Sequence, residues 1–590
     1  MAMERDETGD RQTEHALLVV WGEFARQIGL VEAIDRLPLA QRRRVHTPQT
    51  KVLEFLVAQL GGLKYLQDIS QAEYPLDQDR EVALAWGRDA WADYSGVSRT
   101  LSHLLEAEAD QIMAALDQVS QVFFDREINL ALTCEGRLVL DGDLTGLPVC
   151  KGSKSYPQTA FGHMDDCIKL GYQASLVSMQ SLTYGRLWLS VEHRPGNTVS
   201  ATEAEAMLQR AEARTGVRPW RRTDLLVQRI EQVAQQRLKL QEKRAARELK
   251  VAQAQAAIQQ VEQDLRLQQD CVTELERLFG EQACLERPHS RLAKARKRVM
   301  ILQDRLVRRQ AALDKARKVL ERTDELLAQH QPEEERLRER HARFLQENAT
   351  NPHPAQIVFR LDAGFGTYEN LALLIEMGYE VYTKLHNQQV VRNLRKQIPA
   401  QAVWRKVATG VSMIFCSSTA LEAFPYQLDV GLEHFARESK TKYSALLHFG
   451  TDRVAQDLAG WFTFYNHRQT IEAGIKESKQ VFYLNRLKVR SLPAIRLQEY
   501  FVILAANLIR WANYWIYHQV PAAPSAFPKL SIKKLVQVGA YTSASVISTS
   551  KGKLLKFSDR SVFKGKELLI PRYAEQLPLP AFKNYFFPRV

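Results

Sequence analysis

The chain has 590 residues and a net charge of +13, with 45% apolar and 25% charged residues, the balance of a soluble globular protein of two to four domains. The basic excess favours a polyanionic partner, nucleic acid before an anionic membrane surface, although a basic protein with no such partner is the alternative. Six cysteines (Cys134, Cys150, Cys167, Cys271, Cys284 and Cys416) contain no CxxC pair, which argues against a zinc ribbon or finger and for reduced residues of a cytosolic protein.

The N-terminus, MAMERDETGDRQTEH, is too polar for a secretory signal. Residues 1–130 read as a helical domain. HALLVVWGEFARQIGLVEAIDRL and TKVLEFLVAQLGGLKYLQDI carry apolar residues at helical spacing, with the basic loop QRRRVHTPQTK between them. DYSGVSRTLSHLLEAEADQI predicts a turn and then a helix from Ser98. This is either a helix-turn-helix reader that presents Arg99 to DNA or part of an ordinary bundle. From 131 the period changes. GRLVLDGDLTGLPV, CIKLGYQASLVSMQSL and GRLWLSVEHRPGNT predict three strands, and SATEAEAMLQRAEART predicts a helix. Three strands and a helix suit the first part, 131–224, of a ribonuclease-H-like α/β domain.

Residues 225–345 interrupt that domain. Ile258, Val261, Leu265, Gln268, Val272, Leu275 and Phe279 step by three and four, as do Leu292, Ala295, Val299, Leu302, Leu306, Arg309, Leu313, Ala316, Leu320, Thr323 and Leu327. GEQACLERPHS breaks the run, so the segment predicts an antiparallel coiled-coil hairpin with arms of about 50 residues, about 75 Å each. Residues 291–322 hold twelve Lys or Arg against three acids. Arg296, Lys297 and Arg298 are therefore candidate DNA contacts, against the alternative of a solvated face. Strands return in 346–517 at AQIVFRLDAGFGT and YEVYTKLH, followed by a helix over about 452–480 and an apolar helix around 498–517. In the latter, Arg510 argues for a buried helix over a membrane span. Residues 518–590 form a basic C-terminal region.

On the helix over 452–480, Tyr465, Arg468, Glu472 and Lys479 sit at i, i+3, i+7 and i+14. On one straight helix they fall within an arc of about 60°. Asp141 and Asp143, two apart, project from one side of their strand, and Asp362 ends another. Each acid alone could be a turn or cap residue. Three carboxylates meeting in one place would repel, and divalent cations resolve that conflict.

The stretch YNHRQTIEAGIKESK resembles the Y-(2)-R-(3)-E-(6)-K signature of the YREK group of bacterial insertion-sequence DDE transposases. VLDGDLTG, RPGNT and FRLDAGFGTYENLALLIEMGYEVYTKLHN are similar to further blocks of that family. The resemblance covers roughly 130–220 and 355–515. It implies a ribonuclease-H-like core in which Asp143, Asp362 and Glu472 are catalytic and bind two Mg²⁺ ions, for which Mn²⁺ can substitute. Asp141 is the alternative first aspartate, the D-x-T pattern favouring Asp143. Tyr465, Arg468 and Lys479 would contact the transposon end. Trp404 or Trp461 could stack on a flipped base, though each could equally be core. The implied activity is cleavage of the element's ends and joining of its 3′-hydroxyls to target DNA, by a homodimer in a synaptic complex in the bacterial cytoplasm, at the nucleoid and not at a membrane. The helical hairpin is no part of that family's core. A nuclease that does not join strands, and a non-catalytic DNA-binding coiled-coil protein, remain as alternatives.

Overall fold

A computed structural model describes residues 11–41, 45–150, 156–164, 167–282, 287–416, 421, 424–437, 440–519, 530–563 and 565–571. Cys284, the arginines of the QRRR loop and the basic residues beyond 571 lie outside those residues. The chain divides into two compact units, one of residues 1–220 with 351–590 and the other of residues 221–350.

In the first unit, β1 (Arg11–Thr13) precedes seven helices: α1 (Ala16–Gln27), α2 (Leu30–Asp35), α3 (Pro48–Leu60), α4 (Asp68–Gln71), α5 (Arg80–Ala85), α6 (Tyr94–Ser102) and α7 (Glu106–Cys134). The helix expected from Ser98 begins earlier. Asp93 caps α6 by accepting the Gly96 N–H (2.9 Å), which places Ser98 and the exposed Arg99 inside that helix. A short break then leads into α7.

The strands β2 (Leu138–Pro148), β3 (Ala160–Met164), β4 (Cys167–Ser181) and β5 (Gly185–Pro195) follow, then α8 (Ser200–Thr215). The short β3 was not expected from the sequence. It pairs with the first five residues of β4, Cys167–Gly171, as an outer strand. After the second unit the chain returns as β6 (Ile357–Leu361), α11 (Tyr368–Glu376), β7 (Glu380–Lys384) and α12 (Gln388–Gln397). The strands β8 (Arg405–Ala408), β9 (Val411–Cys416), β10 (Asp429–Arg437) and β11 (Lys440–Phe449) come next. All ten strands from β2 to β11 share one sheet in the order β3-β4-β2-β6-β7-β11-β10-β9-β8, with β5 on β4. The neighbours β2, β6 and β7 are parallel. Two helices, α13 (Leu458–Asn466) and α14 (Gln469–Gln480), precede α15 (Leu492–Gln519). The 26 residues Leu492–Tyr517 are long and apolar enough to cross a membrane, but they are mostly buried in this unit. There Trp511 stacks on Phe123 (4.4 Å), and Asn507 bonds both backbone groups of Trp188. A four-stranded sheet of β1 with β12 (Ala544–Thr549), β13 (Gly552–Phe557) and β14 (Glu567–Pro571) completes it.

The second unit is two helices of 59 residues, α9 (Thr223–Glu281) and α10 (Arg291–Ala349), about 88 Å each at 1.5 Å per residue. They are longer than the arms of about 50 residues expected from the sequence, and Ser290 caps the start of α10 by accepting the Ala293 N–H (3.1 Å). Arg244 pairs with Asp324 and Arg296 with Glu276, so the helices run in opposite directions. Of the positions spaced by three and four, Ile258, Val261, Leu292, Ala295, Leu313 and Thr323 are buried, while Arg309 is exposed.

Candidate active site

Leu138–Gly142 of β2 pair in parallel with Ile357–Leu361 of β6, and the ladder ends there. The next residue along each chain is an aspartate, Asp143 within β2, which runs on to Pro148 against β4, and Asp362 just past the end of β6, so two carboxylates stand side by side where the parallel ladder stops. Gly142, between the two aspartates of β2, points the other way. A side chain there would meet Met207 at 2.8 Å and Phe359 at 2.9 Å. Asp362 opens a turn by accepting the Gly364 N–H (2.9 Å), and its own carbonyl accepts the Thr383 hydroxyl (2.9 Å). Gly366 closes that turn, since a Cβ would lie 2.0 Å from the Lys384 carbonyl oxygen.

The Asp143 side chain is 17% exposed. Burial first, then the charge of Asp362 and less so that of Glu472, push its carboxyl up to about 7. The Arg468 guanidinium and the Leu144 N–H (2.9 Å) oppose the rise. Asp141, two residues earlier, is fully buried in a two-pronged pair with Arg360, at 2.7 Å and 2.8 Å. Its charge is met by a close two-pronged pair, whereas Asp143 has only the looser contact with Arg468 at 3.6 Å.

The third acid comes from α14, and here the expected single helix is wrong. The chain breaks after Asn466, and α14 starts afresh at Gln469 with Arg468 as its N-cap. Tyr465 therefore does not lie on one stripe with the others. It is 4% exposed in the cluster of Val139, Val358, Tyr382 and Trp461, and its hydroxyl donates to the Leu361 carbonyl (3.2 Å). A buried phenol held by backbone at the end of β6 anchors α13 and presents no face to a ligand. Arg468 sits between the carboxylates. One guanidinium nitrogen hydrogen-bonds Glu472, and the other lies 3.6 Å from Asp143. That second nitrogen is buried and finds no hydrogen-bond partner among the described residues. Glu472 is 52% exposed in the first turn of α14, where the helix dipole favours an acid. Lys479, seven residues on, is half-buried on the same helix.

Trp461 is core, 2% exposed, with its indole edge on His448. Trp404 is half-buried and packs against His434 (5.5 Å) and Tyr443 (6.2 Å). Arg296, Lys297 and Arg298 are exposed on α10 in the second unit, with Arg296 held by Glu276 (2.8 Å). The sequence reading assigned nothing to Arg360 or to Lys384, whose ammonium pairs with the buried Glu433 (3.2 Å) and lies 5.4 Å from the Tyr465 ring centre. For Arg360 a signal existed: a cation inside the apolar strand IVFRL needs an acid in register, and Asp141 is that residue.

Among the described residues, no three His, Cys, Asp or Glu are gathered closely enough to hold a metal ion. The donor set nonetheless has the chemistry of a hard divalent cation site. It consists of carboxylate oxygens only, two of them side by side where the β2–β6 ladder stops, with a proton affinity at Asp143 that a nearby cation would relieve. Glu472, the third, is drawn toward Arg468.

Residues 338–508 match the family model of the transposase DDE domain. That span contains Asp362 and Glu472 and leaves β2, with Asp143, outside. No curated protein matches the chain. The match supports a DDE transposase, a DNA-acting enzyme of the metal-dependent nuclease and transposase kind, and the mixed α/β sheet is consistent with a ribonuclease-H-like DDE domain.

Proposed function

We propose that the chain is an insertion-sequence transposase of the YREK group that cuts its element's ends and joins the 3′-hydroxyls to target DNA, with Asp143, Asp362 and Glu472 as the catalytic carboxylates. The observation that carries the reading is the meeting of Asp143 and Asp362, where the parallel ladder of β2 and β6 stops, with the Arg468–Glu472 pair of α14. Asp143, Asp362 and Glu472 would hold two divalent cations, Mg²⁺ or Mn²⁺, which when bound activate a water or 3′-hydroxyl and stabilise the leaving oxygen at a phosphodiester.

The protein's own groups divide the remaining work. Asp143, whose carboxyl is pushed up to about 7, would have to be ionised to hold a cation, so loading would be coupled to pH near neutrality. Arg468 offers beside the carboxylates a buried nitrogen that makes no hydrogen bond among the described residues, suited to a phosphate oxygen. Lys479 adds a point charge further along α14, and Tyr465 fixes the helix end. The hairpin is read as an antiparallel coiled coil whose basic arm, through Arg296, Lys297 and Arg298, contacts duplex DNA. The Arg99 helix is read as a second DNA contact. A homodimer holding two element ends is the working assembly.

The test is a joining assay with labelled element ends, a target plasmid and Mg²⁺. Inserted product is expected. Cleavage without insertion would leave a nuclease, and Glu472→Gln cleaving as well as wild type would remove the catalytic assignment.

A further inference from the structure

We infer that Arg360 is a positioning residue that sets where the three catalytic carboxylates stand. The inference rests on the transposase reading above. Arg360 lies inside β6 and is 1% exposed, an expensive place for a cation. Its Nε and Nη2 donate to the two oxygens of Asp141 (2.7 Å and 2.8 Å), and its Nη1 donates to the carbonyl of Phe464 (3.0 Å). The side chain also lies over the Phe464 ring, 5.0 Å from its centre.

Those contacts join three separate segments. Asp141 is two residues before Asp143 on β2. Arg360 is two residues before Asp362 on β6. Phe464 belongs to the last turn of α13, where carbonyls lack intrahelical donors, and it is followed by Tyr465, Arg468 and Glu472. One planar guanidinium therefore spans the two strands and the helix end that deliver all three acids. Stability alone does not call for it. Two residues earlier, the same register is filled by Val139 opposite Val358, both buried. Apolar replacements of buried ion pairs are often neutral or stabilising. What an apolar pair would lack is the bond to Phe464, which sets the height of the helical break against the strand ends.

The test uses the full chain and two variants, the double replacement Asp141→Leu with Arg360→Met, and Arg360→Lys. Mn²⁺ binding is followed by the loss of the free-ion electron paramagnetic resonance signal, thermal unfolding is recorded alongside, and cleavage is measured against Mn²⁺ concentration. The double variant should unfold close to wild type yet bind Mn²⁺ about 10- to 100-fold more weakly, the usual effect of removing a group that orients a ligand. Its cleavage curve should shift to higher Mn²⁺ by the same factor. Arg360→Lys keeps a charge for Asp141 but lacks the fork needed to reach Phe464 as well, so it should fall between the two. Wild-type Mn²⁺ affinity in a folded double variant overturns the inference. If the double variant does not fold, the Lys variant decides in the same way. A wild-type chain that cuts DNA while both variants bind Mn²⁺ normally refutes only the role of Arg360. A wild-type chain that neither binds Mn²⁺ nor cuts refutes the transposase reading and this inference with it.

Discussion

Replacing Asp143 by Asn should make the metal-free protein more stable at neutral and alkaline pH, although it removes a proposed catalytic group. Burial and the neighbouring Asp362 raise the Asp143 carboxyl from its ordinary 3.8 to about 7. A rise of about three units corresponds to ~4 kcal/mol at 1.36 kcal/mol per unit, an upper figure for the cost of holding this charge in the folded chain. The folded state keeps the proton to higher pH than the unfolded chain does, so between about pH 4 and pH 7 it binds more protons. Stability accordingly falls as pH rises through that window. Above about pH 7 the whole cost is present, and below about pH 4 none of it is. Asp143→Asn cannot ionise, so in EDTA it should exceed wild type by about 1–4 kcal/mol at pH 8, with the gap closing toward pH 4. Urea unfolding followed by tryptophan fluorescence, repeated across that range, measures the gap, and Trp188 and Trp461 report from the core of the same unit. Adding Mg²⁺ should stabilise wild type and leave the variant unmoved. A gap that does not change with pH, or a variant weaker than wild type at pH 8, would refute the account of an incompletely compensated charge at this point of β2.

Glu472→Gln should keep DNA affinity and lose cleavage by more than about a hundredfold, read in parallel shift and nicking assays. Because its side chain is exposed, unfolding should change by less than about 0.5 kcal/mol. Tyr465→Phe removes the hydroxyl held by Leu361 and should cost about 1 kcal/mol of stability without weakening DNA binding; a loss of affinity at unchanged stability would return Tyr465 to the DNA surface. Changing Arg296, Lys297 and Arg298 together to Ala should lower the slope of log affinity against log salt by up to about 2.7, three phosphate contacts at ~0.9 each. An unchanged slope would make that face of α10 a protein contact instead.

Much of the architecture was legible because it depends on periodicity. The strand of Asp143, the β6 run and the two long helices announce themselves by the spacing of apolar residues, and these are local properties. What was not legible depends on which residue meets which across the sheet. Asp141 and Asp143 are indistinguishable by pattern, since both face one side of β2. Only the parallel register, which sets Asp141 opposite Arg360, separates the closely paired acid from the loosely paired one. The strand β3 escaped notice because AFGHM has no apolar alternation of its own and gains its place only by pairing with β4. The start of α6 lies before Ser98 because Asp93, five residues earlier, caps the helix there.

The helical break carries the same lesson into the site. On a straight helix the spacing of Tyr465, Arg468 and Glu472 would make one stripe, and a stripe facing DNA would expose the phenol. With α13 ending at Asn466 and Arg468 capping α14, the residues divide between two axes. Tyr465 looks back along α13 to the Leu361 carbonyl, at the residue before Asp362. Arg468, capping α14, pairs with Asp143 and with Glu472 one turn further on. The spacing thus specifies a corner: one residue ties the corner to β6, and the next two bring a cation and an acid to β2. Three carboxylates and one guanidinium leave an excess of two negative charges at that corner. In a half-buried setting such an excess is most simply relieved by a doubly charged cation, which is the physical reason to seek Mg²⁺ or Mn²⁺ binding here before any measurement of catalysis.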